Sequence, residues 1–257
     1  MMPKTFAIIN QKGGVGKTTT AEAIGTGLAL LHQKKVLFVD IDPQGNLSFS
    51  LQGDMQNGKP SVFEVMQMPT LAAAAIQTTS KGFDVMISSP ALANAENTFT
   101  ATGREYKLKE ALEPVKDNYD YIIIDTPPTL GVLTVNALTA ADECIITAQA
   151  DMYSLQGVSM LYATIGTVRK YANPALNIKG ILLTRYNPRT LLSKEVSRVL
   201  NETAQAIGSK LFNARIRECN AIKEAQIEQA NIFAYAPKSN AAADYSSLIE
   251  EILKTGE

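Results

Sequence analysis

Residues 12–19 read Lys12-Gly13-Gly14-Val15-Gly16-Lys17-Thr18-Thr19, directly after the apolar run Phe6-Ala7-Ile8-Ile9. Backbone N–H groups of such a glycine-rich turn can converge on a phosphate, and a helix N-terminus beyond it adds positive potential. Lys17 can reach β- and γ-phosphates, and the Thr18 hydroxyl can ligate Mg²⁺. The standard spacing needs a glycine five residues before Gly16. Gln11 stands there instead, and a second lysine, Lys12, opens the loop. A phosphate already held by Lys17 does not need Lys12, which could instead reach a nucleotide on a second subunit. A plain β–α turn has no use for two lysines and Thr-Thr.

Two more segments carry carboxylates at the ends of apolar runs. The first is Asp40-Ile41-Asp42-Pro43-Gln44-Gly45-Asn46. Paired carboxylates beside a phosphate loop could organise Mg²⁺ and an attacking water, while Asp-Pro-Gln-Gly is also ordinary turn chemistry. The second is Tyr121-Ile122-Ile123-Ile124-Asp125-Thr126-Pro127-Pro128. There Asp125 would hold Mg²⁺ through water, and the Thr-Pro-Pro turn would sense the nucleotide; the plain reading is an aspartate that ends a strand. In a third segment, Gln149-Ala150-Asp151-Met152-Tyr153-Ser154, Asp151 or Ser154 could cap a helix.

The elements that must position these residues alternate between strand and helix. Strands are predicted at 5–10, 35–40, 83–88, 119–125, 143–148, 178–184 and 211–214. Most are continuous Val/Ile/Leu-rich runs, as in parallel strands covered on both faces. Helices are predicted at 17–32, 61–77 (broken at Pro69), 104–117, 130–140, 155–171, 191–207, 220–229 and 240–254. The pattern predicts one α/β domain over 1–257: a doubly wound, mainly parallel sheet flanked by helices, with its sites at the carboxyl ends of the strands. Residues 52–60 read as a polar loop.

At 46% apolar and 19% charged residues the chain can bury a sizeable core and is not a disordered type. Cys144 and Cys219 fit no metal or redox spacing and read as reduced thiols of a cytoplasmic protein. No apolar run approaches the roughly 20 residues of a membrane span. The net charge of −1 argues against a general nucleic-acid binder, but its distribution is uneven. Between Arg169 and Lys223 stand 11 Lys+Arg against 3 Asp+Glu, while the remainder holds 13 against 22. That asymmetry is either one basic face on an acidic molecule or a set of solvated helix faces.

The loop variant resembles the deviant Walker A motif of the ParA/MinD group of P-loop ATPases, and the chain as a whole is similar to ParA/Soj-type partitioning ATPases. Gln11, Lys12, the central glycines, Lys17 and two threonines agree, as do the Asp-x-Asp-Pro-Gln-Gly-Asn and Asp-x-Pro-Pro segments. The resemblance implies ATP and Mg²⁺ as ligands, with Gly13, Gly14, Val15, Gly16, Lys17, Thr18 and Thr19 around the phosphates. It implies that Lys12 contacts the nucleotide in trans, Asp42 positions the hydrolytic water, and Thr18, Asp40, Asp42 and Asp125 serve the metal. For Asp151 it implies a dimer-interface role, which stays open beside the helix cap. In the family, the segment Tyr235-Ala236-Pro237-Lys238-Ser239 lies near adenine, which makes Pro237 a base contact.

The same resemblance implies a homodimer on ATP binding, non-specific double-stranded DNA as a partner, and hydrolysis stimulated by a ParB-type centromere-binding protein. A cytoplasmic, nucleoid-associated location follows. The match departs where chromosomal members carry an Ile-Pro-Arg-Asn-x-Arg-type segment: here Glu218 and Ala221 fall near the expected arginines. DNA contact is therefore expected from Arg189, Arg215, Arg217 and Lys223. The chain starts at its first strand, as in short members without a helix-turn-helix domain, so operator binding is not expected. Two alternatives use the same ATPase switch, one positioning a protein assembly on the nucleoid and the other a MinD-like membrane ATPase. The last helix argues against the membrane: Asp244, Glu250 and Glu251 dominate its polar face, which anionic lipid would repel. An iron–sulfur reductase of the nitrogenase iron-protein type would need better placed cysteines.

Overall fold

The computed structural model describes residues 3–54, 56 and 58–254, so positions 55 and 57 of the polar loop lie outside the described residues. Eight strands form one sheet in the order β3-β4-β2-β5-β1-β6-β7-β8. They are β1 (Lys4–Ile9), β2 (Val36–Asp40), β3 (Ile76–Thr78), β4 (Asp84–Met86), β5 (Tyr121–Asp125), β6 (Glu143–Gln149), β7 (Asn177–Tyr186) and β8 (Leu211–Arg217). All pairings are parallel except that of β3 with β4. The helices along the chain are α1 (Lys17–His32), α2 (Asn46–Ser50), α3 (Val62–Gln67), α4 (Ala72–Ala75), α5 (Ala95–Thr98), α6 (Lys107–Leu112), α7 (Val132–Ala140), α8 (Met152–Tyr171), α9 (Leu191–Ala206), α10 (Asn220–Ile227), α11 (Ile232–Tyr235) and α12 (Asn240–Lys254).

Strand alternation divides the core into two layers. Ala7 and Ile9 of β1 face a layer closed by α3, α6, α7, α8 and α9. Phe6 and Ile8 face the other, closed by α1, α2, α10, α11 and α12. Both faces of the central strands are thus dry, which is why their sequences are continuous apolar runs rather than alternating ones. α1 lies so close to β2 that a Cβ on Gly25 would stand 2.2 Å from the Phe38 ring. Tyr245, Leu248, Ile249 and Ile252 of α12 are buried in the second layer, so the apolar face of the last helix is used for docking. Among the described residues, no helix is long and apolar enough to cross a membrane.

Register sets the site. Asp125 pairs with Ile8 of β1 on one side and with Asp40 of β2 on the other. The carboxylates therefore sit level with each other where β1 gives way to the glycine loop, at the point where consecutive strands run to opposite sides of β1.

The predicted helix over 61–77 is several shorter pieces. Pro69 cannot donate a backbone hydrogen bond, so α3 stops before it and a 3₁₀ turn follows. Residues 76–78 then leave the helical run to pair antiparallel with β4, an edge strand that the alanine-rich pattern concealed. Likewise the helix predicted over 104–117 shrinks to α6 between two 3₁₀ turns, ending ahead of Pro114.

Candidate nucleotide-binding site

The glycine loop leaves β1 through Asn10, whose Oδ1 accepts from Lys12 N at 2.8 Å. Gly16, at φ +82°, turns the chain into α1, a conformation that a side chain would disfavour. The loop is fastened from two neighbouring strands and once from within. Gln149 Nε2 donates to Gly14 O at 3.0 Å, Thr184 Oγ1 to Val15 O at 2.8 Å, and Lys17 Nζ to Lys12 O at 3.2 Å. Such a loop holds its shape before any anion arrives.

Lys17, Thr18 and Asp42 line one cavity of about 600 Å³ together with Gly13, Gly14, Gly16 and Thr19. Lys17 is 6% exposed. Burial lowers its pKa, while Asp125 and Asp42 act in the opposite direction by favouring the ammonium. Thr18 Oγ1 donates to Asp125 Oδ2 at 2.6 Å, and the second carboxylate oxygen, Oδ1, is buried without a partner. Burial, with Asp40 close by, pushes the Asp125 carboxyl well above the usual carboxylate range.

An orphaned buried carboxylate oxygen beside a threonine hydroxyl is a fit for a hard divalent cation. Mg²⁺ characteristically takes only one or two protein carboxylates and completes its shell with phosphates and water.

Asp40 has a different place from the one expected of it. Its Oδ2 accepts from Ser48 N and Ser48 Oγ, both at 2.8 Å, and its Oδ1 accepts from Asp42 N at 3.1 Å. It is fully buried behind the cavity wall, and burial raises its carboxyl to about 6 against these hydrogen bonds. The side chain thus shapes the turn that carries Asp42. Asp42 itself is 7% exposed, and its Oδ1 accepts from Gln44 N at 3.0 Å.

Lys12 does not line the cavity of its own chain. Its Nζ lies 2.7 Å from Asp151 Oδ2. Asp151 also caps α8, its Oδ1 accepting from Ser154 N at 2.9 Å. Partial burial raises the Asp151 carboxyl, but Lys12 and Ser154 outweigh it and hold the group below the usual carboxylate range. Of the two roles left open for Asp151, the capping bonds are therefore present, with a link to Lys12 that the sequence did not reveal.

The four expected DNA cations do not form one free patch. Arg189 is exposed at the corner between β7 and α9. Arg215 lies over the Tyr186 ring at 5.5 Å, and its Nη1 donates to Phe212 O at 3.0 Å. Arg217 is engaged by Asp244 through its guanidinium, Nη2 donating to Oδ1 at 2.6 Å and Nε to Oδ2 at 2.9 Å, and through its backbone N–H, which donates to Oδ2 at 3.0 Å. Lys223 is exposed and lines the far wall of the cavity.

Sequence reasoning missed most of that wall: Arg185, Cys219, Ile222 and Gln226, the last donating from Nε2 to Thr19 Oγ1 at 3.0 Å. A positive φ of 48° at Arg185 was the hidden feature there, since nothing in its neighbours' types requires it. Pro237 is exposed and is not among the cavity-lining residues.

Comparisons with known proteins show the family. A family model described as an AAA domain matches residues 3–178. The chain is 41% identical over 257 residues to the sporulation initiation inhibitor protein Soj of Bacillus subtilis, covering 99% of this chain and 100% of that one. It is 37% identical to the chromosome partitioning protein ParA of Caulobacter vibrioides, covering 97% and 94%. Among solved structures, cobyrinic acid a,c-diamide synthase from Mycobacterium smegmatis, with bound ATP analogue and magnesium, superposes with a TM-score of 0.87 at 34% identity, covering 99% and 96%. The chain belongs to the ParA/Soj-type family of P-loop ATPases.

Proposed function

We propose that this chain is an ATP-hydrolysing DNA-partition switch. It binds ATP–Mg²⁺, pairs with a second copy across two nucleotides, and binds DNA without sequence preference in that state. The observation that carries the reading is the separation of the two loop lysines. Lys17 points into the nucleotide cavity, whereas Lys12 lies outside it on Asp151. A cation poised beside its own cavity but not in it suits a nucleotide held by a second copy.

In this reading Gly13–Thr19 cradle the phosphates and Thr18 and Asp125 hold the metal. Bound Mg²⁺ would neutralise phosphate charge. Asp42 orients the attacking water, supported from behind by Asp40. Arg185, Cys219 and Ile222 receive the nucleoside, in place of the expected contact at Pro237. Lys12 leaves Asp151 and stabilises charge developing on the partner's transferring phosphoryl group. Turnover is slow, because these groups supply positioning and charge rather than a strong base.

DNA contact falls on Arg189 and Lys223, with Arg215 beside them. Arg217 contributes less, since Asp244 already satisfies it. Dimerisation doubles every phosphate contact, so affinity rises steeply with the ATP state even at a net charge of −1. A ParB-type partner stimulates hydrolysis and releases the DNA, and the protein works in the cytoplasm on the nucleoid. No observation favours the membrane alternative.

The test is binding to an arbitrary duplex with ATP–Mg²⁺, with ADP and without nucleotide, across a salt series. Binding only with ATP, lost steeply as salt rises, supports the reading. ATP-dependent dimers that bind no DNA at any salt would refute the DNA role and, with it, the alternative of a protein assembly positioned on the nucleoid.

A further inference from the structure

The loop between Asp125 and α7, residues 126–131, is fastened at both ends. At its start, Thr126 Oγ1 donates to Ile8 O of β1 at 2.7 Å. At its far end, the N–H of Val132, the first residue of α7, donates to Glu96 Oε1 at 2.6 Å. Gly131 has no side chain with which to cap α7, so the cap is brought from α5, 36 residues earlier. A Cβ on Gly131 would stand 2.5 Å from Glu96 Oε1, so glycine is what admits the carboxylate.

Glu96 is backed in turn. Arg104 Nη1 lies 3.8 Å from its Oε2, and Arg104 O accepts from Asn136 Nδ2 of α7 at 2.9 Å. Carboxylate, guanidinium and helix thus close a ring around the hinge. Between the two fastenings, Pro128 lines the nucleotide cavity. A carboxylate at a helix N-terminus is favoured by the helix dipole, and a charged acceptor makes the stronger class of hydrogen bond. The Glu96 side chain is also 57% exposed, so this fastening can change without opening the core.

We propose that Glu96 is a positioning residue for hydrolysis. It fixes the far hinge of the loop that follows Asp125, so that Pro128 answers the nucleotide by pivoting between Thr126 and Gly131 instead of unravelling the first turn of α7. The proposal rests on the cavity being the ATP site, as argued above, and assigns Glu96 no contact with nucleotide.

The experiment compares the full-length chain with its Glu96→Ala and Glu96→Gln variants. Phosphate release is followed over a range of ATP with Mg²⁺, and exchange of the Val132 amide is followed with and without ATP–Mg²⁺. In Glu96→Ala, KM should stay within about twofold while kcat falls about tenfold, the scale of one lost hydrogen bond to a charged group. Glu96→Gln, which keeps an acceptor oxygen, should fall between. Val132 exchange should quicken in Glu96→Ala and lose its response to ATP, with the melting temperature close to wild type.

Wild-type kcat and wild-type Val132 exchange in Glu96→Ala would overturn the proposal. So would a parallel loss of kcat, ATP affinity and melting temperature, which would make Glu96 a stabilising cap only. Absence of ATP binding to the wild-type chain would overturn the nucleotide assignment beneath it, a result distinct from either.

Discussion

The phosphate-loop side of the molecule and its basic side are built in opposite ways. Around the loop, Lys17, Asp40, Asp42 and Asp125 are all below 10% exposed, and neighbouring strands in register hold Asp40 and Asp125 level. Around the β7–α9 corner and β8, the charged groups sit at the surface and differ in what holds them: Arg189 is exposed, Arg215 rests on a tyrosine ring, and Arg217 is engaged by Asp244. A buried site fixes its groups before the ligand arrives, as charge chemistry on a phosphoryl group demands. A surface that grips a featureless polyanion needs only enough free charge, so each cation is individually replaceable.

If that contrast holds, single changes on the first side should be severe and on the second mild. Asp42→Ala should lower kcat by about 100-fold, within the range for losing a group that positions or activates the nucleophile, with little change in ATP affinity. Steady-state phosphate release beside a nucleotide titration checks this; turnover at the wild-type rate would remove Asp42 from the water-orienting role.

Next in size is a pH effect on the nucleotide-free chain. Burial raises the Asp40 carboxyl from 3.8 to about 6. A raised folded-state value means that the folded chain holds this proton more tightly than the unfolded one. The associated stabilisation is present below about pH 4 and is lost as pH rises through 6, amounting to at most about 3 kcal/mol. Asp40→Asn should flatten this part of the stability profile in denaturant titrations between pH 4 and 7. An unchanged profile would show that Asp40 does not carry it.

On the basic side, Arg189→Glu should weaken ATP-dependent DNA binding about tenfold and reduce the dependence of log affinity on log salt. Arg217→Ala should leave DNA binding nearly intact and lower the melting temperature by at most a few degrees, because a partly exposed ion pair contributes little. The reverse ranking in a filter-binding series would break the comparison. The smallest effect concerns the contact between the two lysine roles. Asp151→Asn should release Lys12 and strengthen ATP-dependent dimerisation by up to about fivefold, the limit for a solvent-screened pair. Weaker dimers, seen by analytical ultracentrifugation, would mean that Asp151 assists the paired state.

What the sequence made legible follows the same division. The glycine loop, the Asp42 turn and the Asp125 strand end are short motifs whose residues act within a few positions of one another, and the parallel strands announce themselves as apolar runs. The missed features join distant positions: Lys12 to Asp151 across 139 residues, Val132 to Glu96 across 36, and Arg217 to Asp244 across 27. No local pattern marks such pairs, because each residue type is ordinary at its own position. The type and spacing of Asp40 suit a metal-supporting group, and no local pattern shows that Ser48 and the Asp42 N–H engage both of its oxygens. The edge strand β3 was hidden because helix propensity in Leu71–Ala75 masks a pairing that β4 supplies from outside.

The central claim is that Lys12 acts on a nucleotide held by another copy, and the mass of the ATP-bound species tests it most directly. Light scattering after size exclusion should find Asp42→Ala, with ATP–Mg²⁺, at about twice the monomer mass of 27.7 kDa, and at the monomer mass with ADP. Adding Lys12→Ala to that variant should leave ATP bound but return the mass to the monomer. A full dimer in the doubly substituted chain would contradict the claim.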